Sequence, residues 1–457
     1  MGMEIRLERK MDAFLLDWKA KKTRKPLIIK GARQIGKTEC IRHLAELYEH
    51  FVEIDFKLQP QYRTIVPDPK NPIPHDTRSN TQESVIKEIT AIDPSKVFVP
   101  GKTLILFDEI QACPQVCTAL KSFCEKGDYD LICSGSLLGI NYEAISSIAV
   151  GYKEDVTMHG LDFEEFLWAK GYPKSLRGEL LRGMIEGVPL SESLFSALRS
   201  HFFDFSVLGG MPAVVRDFIA TGTFSGSLST QRQIILDYRD DMKQYAGGLD
   251  KAKIEAVYDR IPVQLGKENP KFQLTKVAHG ARAREYEGIK EWLKDSGIVL
   301  ISYNLNFPEL PLKGNYQPDN FRLYFSDTGL LIASLDEETQ EDLRANKNLG
   351  VYRGAVTENM IADSFVKQGL ELFFYKREDG TLEEDFFVRD AHSLIPVEAK
   401  SRNGHSKSLK ALIKGDRYPD IRWGIKLGDT NIGDSGSIKT FPYFLSFLLK
   451  DYLKNNR

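Results

Sequence analysis

The apolar run Pro26–Lys30 enters the octapeptide Gly31-Ala32-Arg33-Gln34-Ile35-Gly36-Lys37-Thr38, which fits GxxxxGK[ST] in full. No other feature restricts the possible folds as tightly, because this loop works only between a strand and a helix. The helix is legible in Lys37–Tyr48, where Ile41, Leu44, Ala45 and Tyr48 fall on one stripe. Backbone N–H groups of such a turn wrap phosphate oxygens, and the helix N-terminus adds positive potential. Residues 31–38 are therefore expected to bind ATP. Lys37 would reach the β- and γ-phosphates, and the Thr38 hydroxyl would ligate Mg²⁺. An incidental glycine turn is the alternative, and the strand–turn–helix context argues against it.

Further short apolar strands follow at Phe51–Phe56, Thr103–Phe107 and Asp130–Cys133, separated by helical patterns. Such an alternation predicts an α/β fold with a parallel sheet covered on both faces. The strand Thr103–Phe107 ends in Asp108-Glu109, which places two carboxylates at the edge where open α/β sheets bind ligands. Asp108 is expected in the Mg²⁺ shell, and Glu109 is expected to orient or deprotonate the attacking water. Ser134-Gly135-Ser136 follows the fourth strand. Two readings of Ser134 stay open: a sensor of the γ-phosphate or water, and a plain strand-end turn.

The formal net charge of -2 points to neither nucleic acid nor membrane as a global partner, so any basic surface must be local. No run approaches the ~18 apolar residues of a membrane span, and the N-terminus lacks a signal-peptide core. Phe441–Leu453 reads as a C-terminal core helix. Cys40, Cys113, Cys117, Cys124 and Cys133 form no CxxC pair and read as small hydrophobes in a reducing, cytoplasmic setting.

The segments GARQIGKT, LILFDEIQACP, LICSGSLLG, LDFEEFLWAKG, GGMP, FRLYFSDTGLL and IPVEAKS occur in this order. Together they resemble a family of bacterial and archaeal AAA-type ATPases with a C-terminal domain of unknown function. The resemblance covers most of the chain. It implies an AAA-like core, a helical lid and a C-terminal module related to restriction endonucleases. With the helical pattern of the middle region, it suggests four parts: core 1–160, lid 161–245, winged-helix-like module 246–335 and nuclease-like domain 336–457. Tyr152 follows Gly151 where many similar chains have Gly-Arg, so an arginine finger is not assigned there. Arg216, after GGMP, is a candidate lid sensor.

A second constellation lies near the C-terminus. Asp385 leads an apolar strand, and Glu398 and Lys400 share one face of the alternating strand Ile395–Lys400. Glu358 falls on the apolar stripe of a helix over 351–368, where a carboxylate needs a partner. Glu358, Asp385 and Glu398 with Lys400 resemble the PD-(D/E)xK nuclease pattern and would hold a divalent metal. A salt bridge in an inactive nuclease-like fold is the equal alternative. Arg402, Lys407, Lys410, Lys414, Arg417, Arg422 and Lys426 follow, either as a phosphate track or as a solvated surface. In the middle module, Leu274–His279 and Ala283–Ser296 read as helices and Ile298–Tyr303 as a wing strand. In Ala283–Ser296 the bases Arg284, Lys290 and Lys294 are outnumbered by the acids Glu285, Glu287, Glu291 and Asp295, which is poor for binding a polyanion. Two functions remain open. One is an ATPase coupled to DNA or RNA processing. The other is an ATP-controlled switch or scaffold that binds a protein partner or further copies of itself.

Overall fold

The computed structural model describes residues 5–68, 78–136, 150–245, 249–266, 272, 273, 277, 283–286, 288–335, 337–345, 347, 351–400 and 406–455. The chain divides into two compact units: Glu8–Gly160 with Asp295–Gly297, and Met1–Leu7 with Leu161–Lys294 and Ile298–Arg457.

The N-terminal unit runs α1 (Lys10–Ala20), β1 (Leu27–Gly31), α2 (Lys37–Ala45), β2 (His50–Asp55), α3 (Gln82–Ile92), β3 (Thr103–Asp108), α4 (Leu120–Lys126), β4 (Asp130–Ser136) and β5 (Glu154–Thr157). Its sheet has the order β2-β3-β4-β1-β5, and every pairing is parallel. The apolar runs in β1, β3 and β4 are buried on both faces, as a parallel sheet between helices requires. Phe107 packs 5.5 Å from Phe56 and 6.3 Å from Phe123, ring centre to ring centre, in the core of this unit. Asp55 faces Asp108, Phe107 faces Cys133, and Gly31 faces Ser136. The carboxyl ends of four strands therefore share one edge. Cys40, Cys113, Cys117 and Cys133 are buried thiols. Burial pushes Cys113 and Cys117 up to about 12, which leaves them protonated packing groups.

The larger unit opens with helices α5 (Phe163–Ala169), α6 (Leu176–Glu186), α7 (Glu192–Leu208), α8 (Pro212–Thr221), α9 (Ser227–Tyr245), α10 (Lys251–Leu265) and α11 (Ile289–Asp295). Asp162 caps α5 by accepting from Glu165 N at 2.9 Å, while the Glu165 carboxylate accepts from Asp162 N at 3.0 Å. After these come β6 (Val299–Leu305), β7 (Tyr316–Phe325), α12 (Thr328–Ala333), α13 (Glu337–Arg344), α14 (Val351–Lys367), β8 (Phe373–Lys376), β9 (Glu383–Glu384), β10 (Phe386–Arg389) and β11 (Leu394–Lys400). The chain closes with α15 (Lys407–Lys414), β12 (Gly424–Gly428), β13 (Gly433–Asp434), β14 (Ile438–Pro442) and α16 (Leu449–Asn455). Two sheets result, β7-β6-β8-β9 and β10-β11-β12-β14-β13. Asp385 is the single residue between β9 and β10, where the chain passes from one sheet to the other.

Three of the quoted sequence segments meet at one junction. Gly210 O accepts from Leu161 N at 2.7 Å, and Gly210 N donates to Asp327 Oδ2 at 2.6 Å. A Cβ on residue 210 would lie 2.1 Å from the Leu161 carbonyl oxygen, so only glycine permits this approach. Lys367 Nζ donates to the same Leu161 oxygen at 2.9 Å and pairs with Asp363 at 2.6 Å. GGMP and SDTGLL are thus explained by packing.

Three expectations need correction. Ala283–Ser296 is not one helix: a 3-10 turn at Ala283–Tyr286 is separated from α11 by Gly288 at φ 78°. Ile298–Tyr303 is no wing: β6 is paired on both sides, with β7 and β8, and almost wholly buried. The tail Phe441–Leu453 begins as the end of β14 and a 3-10 turn before α16, since Pro442 has no N–H to donate. Of the expected helix Leu274–His279, all but Val277 lies outside the described residues.

Candidate nucleotide site

The loop between β1 and α2 carries the motif. Gly36, at φ 89°, reverses the chain into α2 in the left-handed region that glycine accepts without strain. The buried Arg9 braces the loop from outside. Its Nη1 donates to Ile35 O at 2.8 Å and its Nη2 to His159 O at 2.7 Å. No pattern around Arg9 in the sequence signals this role.

Lys37 is buried, and its Nζ donates to the carbonyls of Gly31 at 3.1 Å and Ala32 at 2.7 Å. Burial pushes its ammonium down to about 8, opposed by Glu109 and Asp108. Incoming phosphate charge would restore the full cation. Thr38 Oγ1 donates to Asp108 Oδ2 at 2.7 Å, and the Ser134 hydroxyl donates to Asp108 Oδ1. Strand order creates this arrangement: β4 lies between β3 and β1, so Ser134 stands between Asp108 and the loop. A threonine hydroxyl beside a carboxylate is an all-oxygen donor set of the kind Mg²⁺ prefers, so Thr38 and Asp108 fit that ion.

Glu109 begins the turn after β3 at φ 52°. Gln34, in the phosphate loop, has φ 60°. Among the described residues these are the non-glycine residues with positive φ, and both lie here. Such strain costs ~1–3 kcal/mol per residue and collects at functional sites. Burial raises the Glu109 carboxyl, while the Arg33 guanidinium opposes the shift. Arg33 Nη2 lies 3.6 Å from Glu109 Oε2, and Gln111 Nε2 donates to that same oxygen. Sequence reasoning gave Arg33 only a backbone role and passed over Gln111, although both lie inside the quoted motifs. Thr38, Arg42, Asp55, Asp108 and Glu109 line a cavity of about 610 Å³.

The second constellation is brought together differently from the expected metal site. Glu358, on α14, accepts from Arg322 Nη1 at 2.8 Å and from the Tyr324 hydroxyl at 2.5 Å. Arg322 also donates to Glu383 at 2.5 Å, lies 3.8 Å from Asp385, and stacks 4.2 Å above the Phe374 ring. Asp385 accepts from Ala399 N at 2.9 Å, and burial with Glu358 nearby pushes its carboxyl up to about 7. Glu398 pairs with Lys400 at 3.1 Å. Neither oxygen of the buried Glu384 carboxyl has a hydrogen-bond partner, and its pKa is raised well above the usual range by burial. Arg322 is the residue that sequence reasoning missed; it lies in the quoted segment FRLYFSDTGLL. Among the described residues, no group of three or more His, Cys, Asp or Glu side chains is arranged to hold a metal ion.

The basic residues are divided. Lys407, Lys410, Lys414, Arg417 and Arg422 are exposed, and Arg402 lies outside the described residues. Lys290 of α11 is consumed internally, donating to Pro318 O at 2.6 Å and lying over the Phe321 ring.

The sheet order and the loop define a P-loop nucleotide-binding domain. Residues 23–167 match the family model described as an AAA domain. Residues 199–341 and 353–443 match two domains of unknown function, DUF8612 and DUF4143. The chain therefore carries an AAA-type P-loop ATPase domain followed by two domains of unknown function. No curated protein matches the chain. Among solved structures it is similar to the Walker-type ATPase of Pyrococcus abyssi, at 13% identity over 72% of this chain and 96% of that one, with a TM-score of 0.42. It is also similar to the Orc1 protein of Aeropyrum pernix in complex with DNA, at 11% identity over 80% and 95% of the two chains, with a TM-score of 0.30. No helix among the described residues is long and apolar enough to cross a membrane.

Proposed function

We propose that the N-terminal unit hydrolyses ATP with Mg²⁺. The observation that carries this reading is the Asp108 carboxylate, bonded by Thr38 on one oxygen and Ser134 on the other, with Glu109 next in the chain. Residues 31–38 bind the phosphates through backbone N–H groups, and Lys37 supplies the cation that meets them. Thr38 and Asp108 would hold the magnesium ion, which neutralises charge on the phosphoryl oxygens. Glu109 aims and polarises the attacking water, and Ser134 fixes the orientation of Asp108. Phosphate release by the purified chain tests the reading. It should occur with ATP and Mg²⁺ and stop with EDTA; ATP that neither binds nor turns over would overturn it.

For the C-terminal region the observations favour a structural role, and with it a nucleotide-controlled switch or scaffold, over nuclease chemistry. Arg322 supplies the countercharge that a divalent cation would otherwise bring to Glu358 and Asp385, and Lys400 is spent on Glu398. The same assay, run with DNA, RNA and Mn²⁺, should show no cleavage.

A further inference from the structure

We propose that the Arg33 side chain positions the carboxylate of Glu109, and so serves turnover rather than nucleotide affinity. The inference rests on the ATPase reading above and assigns a role within that site.

Glu109 leaves β3 through a strained backbone at φ 52°, and its side chain must reach a defined place to activate water. Two groups from different elements converge on one of its oxygens. Arg33, from the phosphate loop, brings Nη2 to 3.6 Å from Oε2. Gln111, buried in the turn after β3, donates Nε2 to the same atom. Both contacts fall on Oε2, which leaves Oε1 as the oxygen for a water in the cavity that Glu109 lines. The amide hydrogen bond and the guanidinium charge, coming from two elements, together hold Oε2 in place.

A cation in a phosphate loop has a rival role, which is to bind the phosphates directly. Two observations weigh against it. Lys37 already occupies that role from inside the loop, with Nζ on the carbonyls of Gly31 and Ala32. Arg33 instead extends to the end of β3. It thereby ties the loop that senses the nucleotide to the residue that acts on water. This connection exists only because β3 and β1 end at one edge of the sheet.

Arg33→Ala and Arg33→Lys, each alone and combined with Glu109→Gln, test the assignment. The measurements are ATP affinity by calorimetry, kcat and KM, and melting temperature. Arg33→Ala should lower kcat by about tenfold to a hundredfold, the scale of a misplaced catalytic group. Its ATP affinity should stay within about threefold, because the phosphate contacts remain. Arg33→Lys should recover part of kcat. In the Glu109→Gln background, removing Arg33 should cost nothing more, since the group it positions is gone. Loss of affinity with kcat retained would overturn the proposal in favour of phosphate binding. So would a full multiplicative loss on top of Glu109→Gln. A lower melting temperature with affinity and kcat lost together would overturn it in favour of a structural role. A wild type that binds ATP without turnover would overturn the ATPase reading itself, and the role of Arg33 with it.

Discussion

The guanidinium of Arg322 donates to Glu358 at 2.8 Å from a side chain only 1% exposed. One cation on β7 therefore answers a carboxylate on α14 that the helix periodicity alone places on an apolar face. Tyr324, two residues along the same strand face, donates to the same oxygen, so the contact is fixed from two points.

Removing Arg322 should be severe. Arg322→Ala leaves Glu358, Glu383 and Asp385 without their shared cation and should cost ~3–5 kcal/mol of stability. Glu358→Gln should cost less, because the amide oxygen still accepts from Tyr324. Urea unfolding of both variants checks the order. Mn²⁺ should raise the melting temperature of the wild type no more than that of Asp385→Ala; a rise that Asp385→Ala abolishes would restore the metal reading.

The phosphate loop and the end of β3 should separate binding from chemistry. Lys37→Ala should abolish or strongly weaken ATP binding in calorimetry. Glu109→Gln should keep affinity and slow phosphate release by about a hundredfold or more, the usual contribution of a general base. Unchanged ATP affinity in Lys37→Ala would contradict the site.

Asp363 should make stability depend on pH. Burial pushes its carboxyl from 3.8 up to about 7, although Lys367 lies 2.6 Å away. Between those values the folded protein holds a proton that the unfolded chain has released. The contribution of this group to stability is therefore lost as pH rises from 3.8 to about 7. Urea midpoints at pH 5 and pH 7 should fall for the wild type, and Asp363→Asn should flatten the fall.

The Gly210 junction should tolerate no side chain. Gly210→Ala drives a Cβ to 2.1 Å from the Leu161 oxygen, a backbone atom that cannot turn aside, and should cost ~1–3 kcal/mol or more. Gly178→Ala is the control. Nothing lies within 4 Å of its Cβ inside α6, and alanine there should stabilise by ~0.5–1 kcal/mol. Thermal melts of the two variants should move in opposite directions.

The sequence by itself determined the phosphate loop, the strands that flank it, and Asp108 and Glu109 as a strand-end pair. These are local: a strand, a glycine turn and a helix are encoded by neighbours in the chain, and an apolar run reads as a strand buried on both faces. It also placed Glu358 on an apolar helix face and stated that it needs a partner. Only the tertiary structure decided which partner. Arg322 reaches Glu358 because β7 packs beside α14, while Lys400 is held by Glu398. Likewise, Ser134 joins Asp108 because β4 lies between β3 and β1, a strand order no local pattern encodes. Hydrophobic periodicity records which face of an element is covered. It carries no record of which distant element covers it, and the pairing of charges across a core depends on that choice.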